Sequence, residues 1–346
     1  MLPVLEAVPN FSEGRDPDFL DEAVRVAASC GVDVLDRSAD PDHHRAVLTL
    51  VGDPSSIEEA GVRLARLAVE RIDLRGHDGA HPRIGALDVL PFVPLIGCTM
   101  EDAVGVARRV GRRLSEAEGL PVYFYGAAST PPGRGLAELR RGGFETLRAG
   151  VPSDRRPDLD GGREGLHPTA GAVCVGARRV LLAWNAWVRG VPLDRLRKVA
   201  GRLRETGGGF PGLRALAVAL PRQGSVQLSM NLEDVEARAP MEVFRAVEEA
   251  VHLEGGEITG TEVIGMIPET LVLGAAGDRL RLFEPTPERL LPVGVARHLA
   301  ARGAGDLAAL LSWAASREGE MPQEIRGAAR RLAGGLRHES SPGERA

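Results

Sequence analysis

Nine consecutive residues, Arg75-Gly76-His77-Asp78-Gly79-Ala80-His81-Pro82-Arg83, hold two histidines, three Arg or Asp side chains and two glycines. An imidazole titrates near about pH 6.5, so a positioned histidine can take a proton in neutral solution and return it. His77-Asp78-x-x-His81 also mimics a helical zinc motif, in which two histidines four residues apart share one face. Gly79 inside it and Pro82 directly after it oppose that helix, because proline disfavours helical backbone in the residue before it. No third ligand stands at a telling spacing, so metal binding ranks second and none is expected. A surface loop whose histidines bond only to backbone needs no chemistry, but it accounts poorly for so dense a set of polar side chains.

Three further clusters carry chemical groups. In Asp40-Pro41-Asp42-His43-His44-Arg45, Arg45 opens a strand-like run and offers a bidentate clamp for a carboxylate. An Asp-Pro turn between strands explains the same residues without function, and both readings stand. In Val8-Pro9-Asn10-Phe11-Ser12-Glu13-Gly14-Arg15, Asn10 and Ser12 offer hydrogen bonds at a strand end, where α/β sheets often bind ligands. A turn leading into a helix serves equally well there. In Leu166-His167-Pro168-Thr169-Ala170-Gly171-Ala172, small residues let a flat ligand approach the backbone. Spacing alone favours a bulge or a hinge at that point.

The elements that must position these groups are legible in the pattern. Asp16 as N-cap, Pro17 in the first turn and Gly31 past the end punctuate a helix with Leu20, Val24 and Ala27 on one face. A second helix follows Asp53-Pro54, with Ile57, Ala60, Leu64, Leu67 and Ile72 at helical spacing, and Thr99 with Asp102 predicts a capping box for a third. Strand-like runs fall at 2–8, 32–35, 46–51, 85–95 and 122–125. Residues 131–165 read as a long surface connection. Strands near 172–175, 180–184, 213–220, 226–230 and 261–267 then alternate with helices over 192–205 and 240–253. Each half therefore reads roughly as β-α-β-β-α-β.

Composition narrows the class. The chain has 346 residues, a formal net charge of −5, 43% hydrophobic and 4% aromatic residues. Arg is mixed with Asp and Glu along helical faces, without the basic stripe and stacking aromatics of nucleic-acid proteins, so no nucleic-acid partner is expected. No apolar run has the length to span a bilayer, so no membrane association is expected. The start of the chain lacks signal-peptide features, and Cys30, Cys98 and Cys174 stand apart in apolar contexts. A cytoplasmic location is the expectation.

Read together, these segments resemble the glutamate formiminotransferase family, the unit that also begins the bifunctional formiminotransferase-cyclodeaminases. The resemblance is carried by 8–14, by Asp40–Arg45 with Val47-Leu48-Thr49, and above all by the block 72–89. Pro121-Val122-Tyr123-Phe124-Tyr125-Gly126, 167–178, Ser229-Met230-Asn231-Leu232 and Gly265-Met266-Ile267-Pro268-Glu269 follow in the family's order, over roughly residues 1–280.

The resemblance implies an α/β (α+β) fold of two ferredoxin-like subdomains, each a sheet covered by helices, with the ligand crevice between them. It implies subdomains over 1–176 and 177–284, while the Ala/Leu/Arg-rich pattern beyond them predicts a helical extension over 285–333 and a disordered tail over 334–346. The implied reaction moves a formimino group between N-formimino-glutamate and tetrahydrofolate, a step of histidine breakdown and one-carbon metabolism, in a monofunctional homodimer. Tetrahydrofolate is then a co-substrate, formiminoglutamate or glutamate the other small-molecule partner, and no metal is required. The family's catalytic histidine falls on His81. Its folate-binding segment falls on Gly161, Gly162, Gly165, Leu166, His167, Pro168, Thr169, Ala170 and Gly171, with Arg178 beyond it. Asn10, Asp40, Arg45, His77, Arg83 and Asp88 are the substrate-binding candidates. His44 departs from the Asn expected there, and 161–166 differs in length from the bifunctional enzymes. The competing expectations are a glutamate formyltransferase, a non-catalytic folate-binding protein and a metal-dependent hydrolase using His77 and His81.

Overall fold

A computed structural model describes residues 3–233, 235 and 240–267. The expected extension over 285–333, the tail over 334–346, and Pro268 and Glu269 of the last motif lie outside the described residues.

The first half begins with β1 (Leu5–Ala7), β2 (Asn10–Phe11), α1 (Pro17–Ser29), β3 (Asp33–Asp40), β4 (Arg45–Gly52), α2 (Pro54–Arg71) and β5 (Leu87–Pro94). It continues through α3 (Met100–Glu118), β6 (Val122–Gly126), α4 (Leu136–Leu139), α5 (Gly143–Ala149) and β7 (Val173–Ala177). The helix starts follow the capping chemistry. Asp16 accepts hydrogen bonds from the amides of Asp18 and Phe19, Asp53 from those of Ser55 and Ser56, and Thr99 and Asp102 complete a reciprocal box. Such a cap is worth about 1 kcal/mol. In α1 the buried face is Phe19, Ala23 and Ala27, with Leu20 and Val24 packed at its margin.

The second half is β8 (Leu182–Arg189), α6 (Leu193–Leu203), β9 (Leu213–Leu220), β10 (Ser225–Leu232), α7 (Pro240–Leu253) and β11 (Glu257–Ile264), a complete β-α-β-β-α-β unit. Its sheet has the order β11-β8-β10-β9, all antiparallel, which is the ferredoxin-like arrangement. The first sheet repeats that core, with β1 and β2 lying between β4 and β5 and β3 outside β4. It is then extended by β7 and β6, which join β5 in parallel. The expectation of two helix-covered sheets is met. Each half has its own hydrophobic cluster, one around Leu48, Leu50, Ile57, Leu64 and Phe92, the other around Trp184, Leu228, Val243 and Phe244.

Strand alternation decides what meets between the sheets. In β4, Leu48 and Leu50 enter the core while Val47 and Thr49 line a cavity; in β8, Trp184 and Ala186 are core while Ala183 and Asn185 line the same cavity. Two contacts pin the halves together beside it. His43 Nε2 lies 2.9 Å from Gln227 Oε1, and the Arg222 amide donates to Asp42 Oδ1 at 3.0 Å. No described helix is long and apolar enough to cross a membrane.

Candidate active site

The crevice holds a cavity of about 600 Å³ lined by both sheets. Three of the sequence clusters converge on it, and glycine permits the approach. A Cβ on Gly14 would stand 2.3 Å from the Asp40 carbonyl oxygen, and one on Gly79 would stand 2.3 Å from that of His43. Any larger residue at either position forces the three loops apart. Polar bonds then fix the assembly. Arg15 Nη1 donates to Asp78 at 2.6 Å and Arg15 Nε to the Pro41 carbonyl at 2.9 Å, while His44 stacks on His77 with centroids 4.2 Å apart. His44 has φ of 50°, in the left-handed region that histidine tolerates better than most residues.

His81 stands on the cavity wall at the end of this loop. Its Nδ1 lies 2.8 Å from the Pro82 carbonyl oxygen. A carbonyl can only accept, so Nδ1 carries the proton and Nε2 is left with a lone pair. Withdrawal from water, then the charges of Arg45, Arg140 and His43, hold the His81 pKa well below the ordinary histidine value. The ring is therefore a neutral base at pH 7.

Beneath it lies an ionic cluster. Asp88, fully buried, accepts from the Ile84 amide at 2.8 Å, from Arg45 Nη1 at 2.9 Å and from Arg140 Nη2. Arg45 Nη2 also donates to Asn10 Oδ1 at 2.8 Å. Burial alone would raise the Asp88 pKa, but Arg140 and Arg45 outweigh it and hold the carboxyl below its usual range. Arg140 Nε has no acceptor among the described residues, which leaves that guanidinium an edge for an anion. The cavity thus pairs a base with a clamp.

Comparison with known proteins decides the family. Residues 4–178 match the formiminotransferase domain, N-terminal subdomain, and 193–281 match the formiminotransferase domain. A glutamate formimidoyltransferase of Streptococcus pyogenes serotype M1 is 38% identical over 279 residues, covering 80% of this chain and 93% of that one. The chain belongs to the formiminotransferase family. A glutamate formimidoyltransferase of Thermoplasma acidophilum is 37% identical over 81% of this chain and 93% of that protein. Against the formimidoyltransferase-cyclodeaminase of Sus scrofa identity is 36%, and the match spans 52% of that longer protein. A pitrilysin crystal structure is 12% identical with a TM-score of 0.18, over 73% of this chain and 34% of that one.

Of the residues singled out in this formiminotransferase sequence, His81, Asn10, Asp40, Arg45 and Arg178 line the cavity. Asp88 supports them from below. His77 and Arg83 do not reach the wall. His77 Nε2 donates to the His44 carbonyl at 2.9 Å and its Nδ1 accepts from the Gly79 amide at 3.2 Å. Burial pushes the His77 pKa down to about 4. Arg83 Nη2 donates to the His77 carbonyl at 2.7 Å and to Glu145 at 2.6 Å. Both residues hold the loop that presents His81.

None of the residues Gly161, Gly162, Gly165, Leu166, His167, Pro168, Thr169, Ala170 and Gly171 lines the cavity. Gly161 and Gly171 instead let backbone approach backbone. A Cβ on Gly171 would stand 2.0 Å from the Ile84 carbonyl oxygen, and one on Gly161 would stand 2.5 Å from that of Gly119. The segment packs against the end of α3 and the residues preceding β5. Among the described residues no group of three or more His, Cys, Asp and Glu is placed to hold a metal.

Arg140 is the main residue that sequence reasoning missed. It caps α4 inside the segment read as a structureless connection. The signal was present in the pairs Leu136/Leu139 and Phe144/Leu147, whose three-residue spacing marks one-sided turns, and Leu139, Phe144 and Leu147 are buried. His43, whose ring centroid lies 5.8 Å from that of His81, was passed over as part of a turn.

Proposed function

We propose that the chain is a glutamate formimidoyltransferase that moves a formimino group between N-formimino-glutamate and tetrahydrofolate in the cavity between its sheets, with His81 as proton carrier. The observation that supports this most is the free Nε2 of His81 beside the clustered guanidiniums of Arg45 and Arg140, in a chain matching named transferases over 93% of their length.

The secondary amine of tetrahydrofolate attacks the carbon of the formimino group, and a C–N bond forms as the C=N electrons move to nitrogen. His81 Nε2 takes the proton released by the attacking amine. It returns that proton to the glutamate nitrogen as the C=N bond re-forms and the old C–N bond breaks, its electron pair leaving with glutamate. Acid–base help of this kind supplies about a hundred- to ten-thousand-fold, and holding both substrates in register supplies much of the rest. A substrate carboxylate set against Arg140 offsets part of the cationic field on His81, so binding of the donor raises the basicity of the ring. Arg178, on the same wall, is the candidate for a second carboxylate. The family resemblance also carries the expectation of a homodimer, which sedimentation equilibrium checks.

Purified protein is assayed with tetrahydrofolate and formiminoglutamate, beside formylglutamate and a metal chelator. Turnover with formiminoglutamate that survives chelation is expected. Turnover with formylglutamate alone moves the assignment to formyl transfer.

A further inference from the structure

Glu6 of β1 faces the cavity with only 5% of its surface exposed, and no hydrogen bond or ion pair among the described residues ties down its carboxylate. Thr49 of β4 faces the same space with 1% exposure, and its Oγ1 has no hydrogen-bond partner among the described residues. The neighbouring strands place the two on one face two residues apart in level, since Glu6 registers with Val51 and Thr49 stands two positions before Val51 on β4. A hydroxyl shut away from water without a partner is costly, and a carboxylate that faces only the cavity lacks a protein donor, so a ligand there can supply the missing bonds to both. Burial pushes the Glu6 pKa up to about 7, with Arg178 opposing. The group is thus held in wait for a donor.

Neither chemistry of the His81 end explains this pair. Substrate carboxylates are repelled by Glu6. The formimino group, which also carries N–H donors, must sit at His81. Along β1 and β2, Glu6 stands four residues from Asn10, the partner of Arg45, a strand distance of roughly 13 Å. That interval accommodates a bicyclic ring between the two ends. We propose that Glu6 and Thr49 form the subsite for the pyrimidinone edge of the folate's pterin: the Glu6 carboxylate accepts from N3–H and the 2-amino group, and the Thr49 hydroxyl donates to the 4-oxo oxygen. The two parallel N–H groups of that edge match a carboxylate as an arginine fork does. This inference rests on the folate reading above and names the residues that set its specificity.

Glu6→Gln keeps the shape and removes the charge. In that variant the KM for tetrahydrofolate should rise about tenfold or more, with kcat within about threefold and the KM for formiminoglutamate unchanged. Thr49→Val should raise the folate KM a few-fold. A pterin analogue with methyl in place of the 2-amino group should bind wild type about tenfold more weakly and Glu6→Gln almost as well as the parent compound. Unchanged folate affinity in a folded Glu6→Gln protein overturns the subsite, as does equal discrimination against the analogue by both proteins. Wild-type protein that binds no folate at all fails earlier, at the functional reading, and takes the subsite with it.

Discussion

Asp88, shielded completely from solvent, accepts a hydrogen bond from Arg45 Nη1 at 2.9 Å, and Arg45 in turn grips Asn10. This bond joins β5 to β4 beneath the His81 end of the cavity. Removing the carboxylate leaves the guanidiniums of Arg45 and Arg140 buried without a counter-charge, and deletions of that kind cost about 3–5 kcal/mol. Asp88→Ala should unfold at correspondingly lower urea, and a loss below about 1 kcal/mol would show that solvent screens the cluster.

The pKa of His81 can be read directly. Burial, Arg45, Arg140 and His43 all push it down, so the acid limb of kcat/KM for the free enzyme should lie below about pH 6.5, the ordinary histidine value. Replacing Arg140 with Gln removes one of the opposing charges and should move that limb upward. NMR titration of the ring in both proteins checks the direction. A downward or absent shift would contradict the electrostatic assignment.

His77 makes the loop sensitive to acid. Its folded pKa of about 4 lies below the ordinary histidine value of 6.5, so the folded state favours the neutral ring. The stability it contributes is present above pH 6.5 and is lost as pH falls through about 4. Protonation of Nδ1 also breaks the bond from the Gly79 amide. Hydrogen exchange at Gly79, corrected for the intrinsic pH dependence, should show protection near neutral pH that declines toward pH 4, while amides in α2 keep theirs. Uniform loss across both regions would mean global unfolding instead.

Glu6 acts with the opposite sign. Its folded pKa of about 7 exceeds the ordinary glutamate value of 4.5, so its contribution is fully present below 4.5 and is lost as pH rises through 7. The difference corresponds to about 3 kcal/mol at most. Glu6→Gln should therefore raise the melting temperature at pH 8 and change it little at pH 4.5. A destabilised variant at pH 8 would mean that the carboxylate has a structural partner.

Much of this was legible in the sequence, because caps and periodicity are local. Asp16, Asp53, Thr99 and Asp102 marked helix starts that the structure reproduces, and the run Leu213–Leu220 is β9 to the residue. The motif blocks marked the loop that places His81 on the cavity wall. Long-range pairing was not visible in spacing. Nothing near Arg140 in the sequence indicates Asp88, 52 residues away, and nothing around Gln227 indicates His43. The roles of His77 and Arg83 were obscured for the same reason: a polar side chain reads alike whether it faces a ligand or ties down its own loop.

The central claim concerns His81, and single-turnover kinetics of His81→Gln test it most directly. Formimino transfer from formiminoglutamate to tetrahydrofolate should fall about a hundred-fold or more, while the Kd for tetrahydrofolate stays within about twofold of wild type. A near-normal transfer rate in the variant, with folate bound normally, would contradict the assignment of His81 as proton carrier.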